Sequence, residues 1–168
     1  MKNKPWQQGH FDGLCGIYSL INAMDYLHYG FSEDDCSTLF RYLVESAGTQ
    51  FPAALFDGFD FEPLCNLAEF LPAHFKGRSK LRFLRPFVNE TMEDVEQFFD
   101  EIRPFVHESS VAVLGLGDPW DHWTVCTKVD PSSFKLLDSY GLKRLPKFVF
   151  ALENQKGQIR LDYRETIV

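Results

Sequence analysis

Cys15 stands in Asp12-Gly13-Leu14-Cys15-Gly16, where a glycine-bearing turn runs into a stretch in which Leu14, Ile17, Tyr18, Ile21, Met24 and Leu27 recur at three- and four-residue steps. That period predicts a helix starting at or just before Cys15. At such a position, backbone N–H groups without intrahelical acceptors and the positive end of the helix dipole favour a thiolate over a thiol. A cysteine there is also, more commonly, a small buried apolar residue. Chemistry therefore requires partners elsewhere in the chain.

His122 supplies the first. It opens a predicted strand in Pro119-Trp120-Asp121-His122-Trp123-Thr124-Val125, with aromatic residues on both sides that would shield an ion pair from water. Asp138 follows sixteen positions later, at the end of the next predicted strand. Counting outward from a turn near Asp130-Pro131 brings His122 and Asp138 close to opposite one another, where cross-strand side chains meet. A carboxylate beside an imidazole sets its tautomer and stabilises the imidazolium, as a thiolate–imidazolium pair requires. Attack on a carbonyl also develops an oxyanion that needs pre-positioned donors. The side-chain amide of Gln8 could join the backbone N–H of Cys15 in that role, with Gln7 as the alternative. His10 is a rival base, although its place on the same turn as Cys15 makes it hard to present to the sulfur.

The order of Gln8, Cys15 at a helix start, a distant His122 and Asp138 on the adjacent strand resembles the papain-like cysteine peptidase superfamily. Within it, Asp12-Gly13-Leu14-Cys15-Gly16, His122-Trp123-Thr124-Val125 and Asp138 are most similar to the C39 group of bacteriocin-processing peptidases and their free-standing relatives. The resemblance covers both ends of the catalytic apparatus and leaves residues 31–104 without a counterpart. It implies hydrolysis of a peptide or isopeptide bond through a thioester on Cys15, with His122 and Asp138 completing a triad and Gln8 in the oxyanion hole. The same triad would serve a glutamine deamidase or acyltransferase, and an inactive fold that only binds a partner is a third reading.

Positioning these residues calls for helices first and strands afterwards. Ser32 and Asp35 form a variant capping box for a helix ending near Ala47 and Gly48, and residues 61–71 suggest another. Leu81 to Val88 reads as a strand. Thr91 with Asp94 caps a helix running to about Arg103, and residues 111–116 form a short apolar strand. Residues 122–129 and 133–138 should pair as a hairpin across Asp130-Pro131-Ser132, and residues 148–152 and 158–163 as a second one. The expected fold is α+β, one papain-like domain with N-terminal helices packed on a C-terminal antiparallel sheet.

Composition narrows the function classes. A net charge of −7 disfavours nonspecific nucleic-acid or anionic-membrane binding. The four cysteines, Cys15, Cys36, Cys65 and Cys126, form no C-x-x-C pair and no Cys/His zinc pattern, so neither a metal nor another cofactor is expected. The N-terminus lacks the apolar core of a signal peptide, which predicts a cytoplasmic protein with free thiols. The expected partner is a peptide or protein substrate. A basic run, Lys76, Arg78, Lys80, Arg82 and Arg85, follows an acidic first half and reads as a solvated surface.

Overall fold

The computed structural model describes residues 4–28, 31–74 and 81–168. Gly30, expected to stop the first helix, and the basic Lys76, Arg78 and Lys80 lie outside the described residues. Four helices come first: α1 (Cys15–Leu27), α2 (Glu33–Ala47), the short α3 (Ala53–Asp57) and α4 (Phe61–His74). The capping box of α2 forms as expected. Ser32 accepts from the Asp35 backbone N–H, Asp35 accepts from the Ser32 N–H, and Gly48 terminates the helix at a φ of 53°. α5 (Val95–Ile102) follows, capped by Asp94 alone through Gln97 N–H at 2.8 Å, with Thr91 taking no part.

The strands β1 (Ala112–Leu116), β2 (His122–Asp130), β3 (Ser133–Leu137), β4 (Arg144–Pro146), β5 (Phe150–Ala151) and β6 (Ile159–Ile167) form one sheet in the order β4-β3-β2-β1-β6-β5. The fold is α+β, but the sheet is mixed. β5 lies parallel to β6, pairing Phe150 with Ile159, so the expected second hairpin does not form. Gln158 instead ties the connection back by donating to the carbonyls of Phe148 and Phe150. Residues 81–88 are not a strand either. Leu84 exchanges two backbone hydrogen bonds with Val168, and Pro86, which lacks an N–H, prevents a ladder from continuing.

Alternation along the strands divides the interior into two apolar layers. Val113, Trp123, Val125 and Leu137 pack with Ile17, Leu20, Leu39, Leu64 and Leu67 of the helices. Ala112, Leu114, Cys126 and Phe134 face the other way, toward Phe98, Phe99 and Ile102 of α5. Phe99 stacks on Phe134 with ring centroids 3.9 Å apart in this second layer. α1 is therefore clamped against β2, and Ser19 Oγ donates to the Trp123 carbonyl at 3.0 Å across that contact. Among the described residues, no helix is long and apolar enough to cross a membrane.

Candidate active site

The turn before α1 is organised by Asp12. Its carboxylate accepts from the backbone N–H groups of Gly9, at 2.7 Å, and Leu14, at 3.2 Å. Gly13 packs directly on the C-terminal end of α3 and the loop after it, and its N–H donates to the Leu55 carbonyl within α3 at 2.6 Å. A Cβ at Gly13 would lie 2.8 Å from the Gly58 nitrogen, so the close approach requires glycine. This turn delivers Cys15 as the first residue of α1, 6% exposed, with a backbone N–H that has no acceptor within the helix.

His122 begins β2 and is buried. Its Nε2 meets Asp138 Oδ2 at 2.7 Å, and Asp138, just beyond β3, is fully buried. The two residues lie close to opposite one another on the hairpin, as expected, but not in a direct cross-strand pair. A bulge between Cys126 and Lys128 shifts the register, so Val125 faces Leu137 and Asp138 reaches His122 diagonally. The other oxygen of Asp138 accepts from the N–H groups of Tyr140, at 2.8 Å, and Leu142, at 3.2 Å, which leaves no oxygen of the carboxylate unsatisfied.

Electrostatics match this arrangement. Burial pushes the His122 imidazole down, but the hydrogen bond to Asp138 and the charges of Asp138 and Cys15 outweigh it and raise its pKa to about 9. Burial likewise pushes the Asp138 carboxyl up, and its bond and Coulombic attraction to His122 bring it below its ordinary value. With Nε2 committed to Asp138, Nδ1 is the ring nitrogen left for the sulfur. The remaining thiols contrast with this setting. Burial pushes Cys36 and Cys65 up to about 11 and Cys126 up to about 12.

Shielding of His122 differs from the expectation that its flanking aromatics would provide it. Trp123 points into the helical layer, donating to the Phe59 carbonyl at 2.7 Å, and Trp120 lines the cleft at 38% exposure. The ring stacked on the imidazole is that of Tyr140, with centroids 4.9 Å apart.

Of the two glutamines, Gln8 lines the cleft and Gln7 is an exposed residue near Gly141. The segment carrying Gln8 is held along α1 by Asn22, whose amide pairs with both the N–H and the carbonyl of Trp6. Gln8 Nε2 donates to the Asp12 carbonyl and to the Tyr140 hydroxyl, each at 2.9 Å, and Gln8 Oε1 accepts from Ser139 Oγ at 2.8 Å. Tyr140 was legible in the sequence as one of the aromatics around the site, whereas Ser139 and Asn22 went unrecognised. The one available signal was that Ser139 directly follows Asp138.

Cys15, His122, Gln8, Asp12 and Tyr140 line a cleft of about 650 Å³, into which His10 also opens. The lining of the same cleft carries the carboxylates of Asp57, Asp60, Asp121, Asp162 and Glu165 together with Arg160, which is paired with Asp162 at 2.7 Å. Glu165 lies over Gly115, where a Cβ would come within 2.9 Å of its carboxylate. Burial and the charges of Asp162, Asp60 and Asp121 raise its pKa, with Arg160 opposing them. Four exposed aromatics, Phe11, Phe56, Trp120 and Tyr140, ring the same cleft. A larger open groove of about 900 Å³ beside Met92, Lys147 and Phe148 contains no cysteine or histidine. Among the described residues, no group of three or more His, Cys, Asp and Glu is placed to hold a metal ion. No protein-family model, curated protein or solved structure matches the chain.

Proposed function

We propose that this protein is a cysteine hydrolase of the papain-like type, most similar in its motifs to the C39 group, that cleaves a peptide or isopeptide bond. The observation that carries this reading is that His122 and Cys15, on the first turn of a helix, open on one cleft while the buried Asp138 holds His122 from behind. Cys15 Sγ attacks the carbonyl carbon, and the developing oxyanion is met by donors that include the Cys15 N–H. The C–N bond then breaks as the His122 imidazolium gives its proton to the leaving amine. Water, deprotonated by His122, attacks the thioester and expels the Cys15 thiolate, restoring the ion pair. Asp138 keeps the imidazole oriented throughout.

Surroundings of the cleft favour a polypeptide substrate. Its carboxylate wall suits chains that bring lysine or arginine to the site, and its exposed aromatics provide apolar surface for neighbouring residues. The decisive experiment measures iodoacetamide alkylation of Cys15 against pH, by peptide mass mapping, in the wild type and in His122→Ala. Labelling of Cys15 at pH 6 that exceeds labelling of Cys36, Cys65 and Cys126, and that is lost in the variant, is the expected result. Equal labelling of all four thiols, indifferent to His122, would sink the assignment.

A further inference from the structure

Three consecutive residues together hold His122 and Gln8. Asp138 binds His122, Ser139 binds the Gln8 carbonyl oxygen, and Tyr140 stacks on His122 while its hydroxyl contacts Gln8. The orientation of the Gln8 amide follows from its partners. A backbone carbonyl can only accept, so the group facing Asp12 O must be the nitrogen, and the oxygen is left to accept from Ser139. Both Nε2 protons are then spoken for, one on Asp12 O and one on the Tyr140 hydroxyl. Gln8 has no free proton to offer an oxyanion in this arrangement. The phenol does: having accepted from Gln8, it retains its own proton and donates it to no group among the described residues.

We propose that the Tyr140 hydroxyl is an oxyanion donor of this site, acting with the Cys15 N–H, and that Gln8 is a positioning residue that orients and polarises it. This rests on the hydrolase reading above. A chain in which one N–H donates to a hydroxyl strengthens the hydroxyl as a donor in turn. The ring is held in place before substrate arrives. Its backbone N–H is fixed by Asp138 Oδ1, its face by the imidazole, its hydroxyl by Gln8, and Gly141, at a φ of 85°, closes the turn behind it with an N–H to the Asp138 carbonyl. Such preorganisation is what makes a donor effective in a transition state. Burial and the nearby charges of Cys15, Asp12 and Asp138 raise the phenol pKa, which keeps it in the protonated form that donation requires.

Two probes of Cys15 separate this role from the ion pair. Iodoacetamide reacts by displacement at saturated carbon and forms no oxyanion. p-Nitrophenyl acetate forms one, as the sulfur attacks the ester carbonyl and p-nitrophenolate leaves to give S-acetyl-Cys15. Tyr140→Phe keeps the ring and removes the hydroxyl. The expected result is alkylation within twofold of wild type and acylation slowed by at least tenfold, toward the roughly 10²-fold cost of losing an oxyanion-hole donor. Gln8→Ala combined with Tyr140→Phe should be no slower than Tyr140→Phe alone, because the two groups act in series. Acylation that is unchanged or faster in Tyr140→Phe would overturn the proposal, as would additive losses in the double variant. Parallel loss of alkylation and acylation would overturn it too, by showing that the hydroxyl merely holds the imidazole. A wild type with His122-dependent alkylation but no acylation would exclude an assembled oxyanion site and overturn the inference alone. A wild type lacking His122-dependent alkylation would take down the hydrolase reading, and this inference with it.

Discussion

The Asp138 carboxylate meets His122 Nε2 at 2.7 Å because of a one-residue irregularity in the hairpin that carries them. The strands leave their turn with Asp130 facing Ser133 and Val129 facing Phe134. Continued unbroken, that register would set Asp138 across from Val125, on the face of β2 that packs against the helices. The bulge between Cys126 and Lys128 slips the pairing by one, so that Val125 faces Leu137 and the next position, Asp138, falls on the face shared by His122 and Thr124. Parity along the strand, rather than distance from the turn, decides whether the two side chains can touch.

This pair should impose a pH window on stability. The raised pKa of His122 means its contribution is fully present below the ordinary value of 6.5 and is lost as pH rises through about 9. The lowered pKa of Asp138 means its contribution is present above the ordinary 3.8 and is lost as pH falls below it. Urea midpoints should therefore be flat between about pH 4 and 6.5 and decline on both sides. In Asp138→Asn the decline between pH 6.5 and 9 should disappear. An alkaline limb that survives in that variant would mean another group is responsible. Removing one partner of a buried pair costs about 3–5 kcal/mol, so Asp138→Ala should be the least stable of the series.

Gly13→Ala should separate the Cys15 turn from the loop after α3. The added methyl would meet the backbone of Phe56 and Gly58, at 3.0 Å and 2.8 Å, and backbone cannot swing aside as a side chain can. A loss of about 1–3 kcal/mol is expected in equilibrium unfolding, together with slower Cys15 alkylation. Unchanged stability would show that the two loops are not pinned by this contact.

The acidic wall should discriminate between charged thiol reagents of similar size. A trimethylammonium-ethyl methanethiosulfonate should modify Cys15 faster than the sulfonate-ethyl analogue, and Glu165→Gln should shrink that preference about two- to fivefold. Raising the salt concentration should compress the preference in the same direction. A preference for the anionic reagent would contradict an electrostatic role for this wall.

Much of the local structure was legible in the chain because it depends on near neighbours. The apolar period after Leu14 placed Cys15 at the head of α1, Ser32 and Asp35 announced the α2 cap, and Asp130-Pro131-Ser132 announced the turn between β2 and β3. Residue types at those positions also picked out Cys15, His122, Asp138 and Gln8; in the structure Cys15, His122 and Gln8 line one cleft and the buried Asp138 bonds to His122. Leu81 to Val88 read as a strand, but Pro86 and the absence of a partner ladder overrode that reading.

What the chain alone could not show were the relationships that depend on distant partners. The parallel placement of β5, the bulge that puts Asp138 on the right face, and the stacking of Tyr140 on His122 are of this kind. So is the Gln8 amide's engagement by Ser139 and Tyr140, more than 130 positions away. Periodicity and capping chemistry are encoded within a few residues, and so the sequence determined which elements form and which side chains could react. Strand parity and the direction of individual hydrogen bonds are settled when the layers pack, so only the tertiary structure decided that Tyr140 stacks on His122 and that its hydroxyl accepts from Gln8.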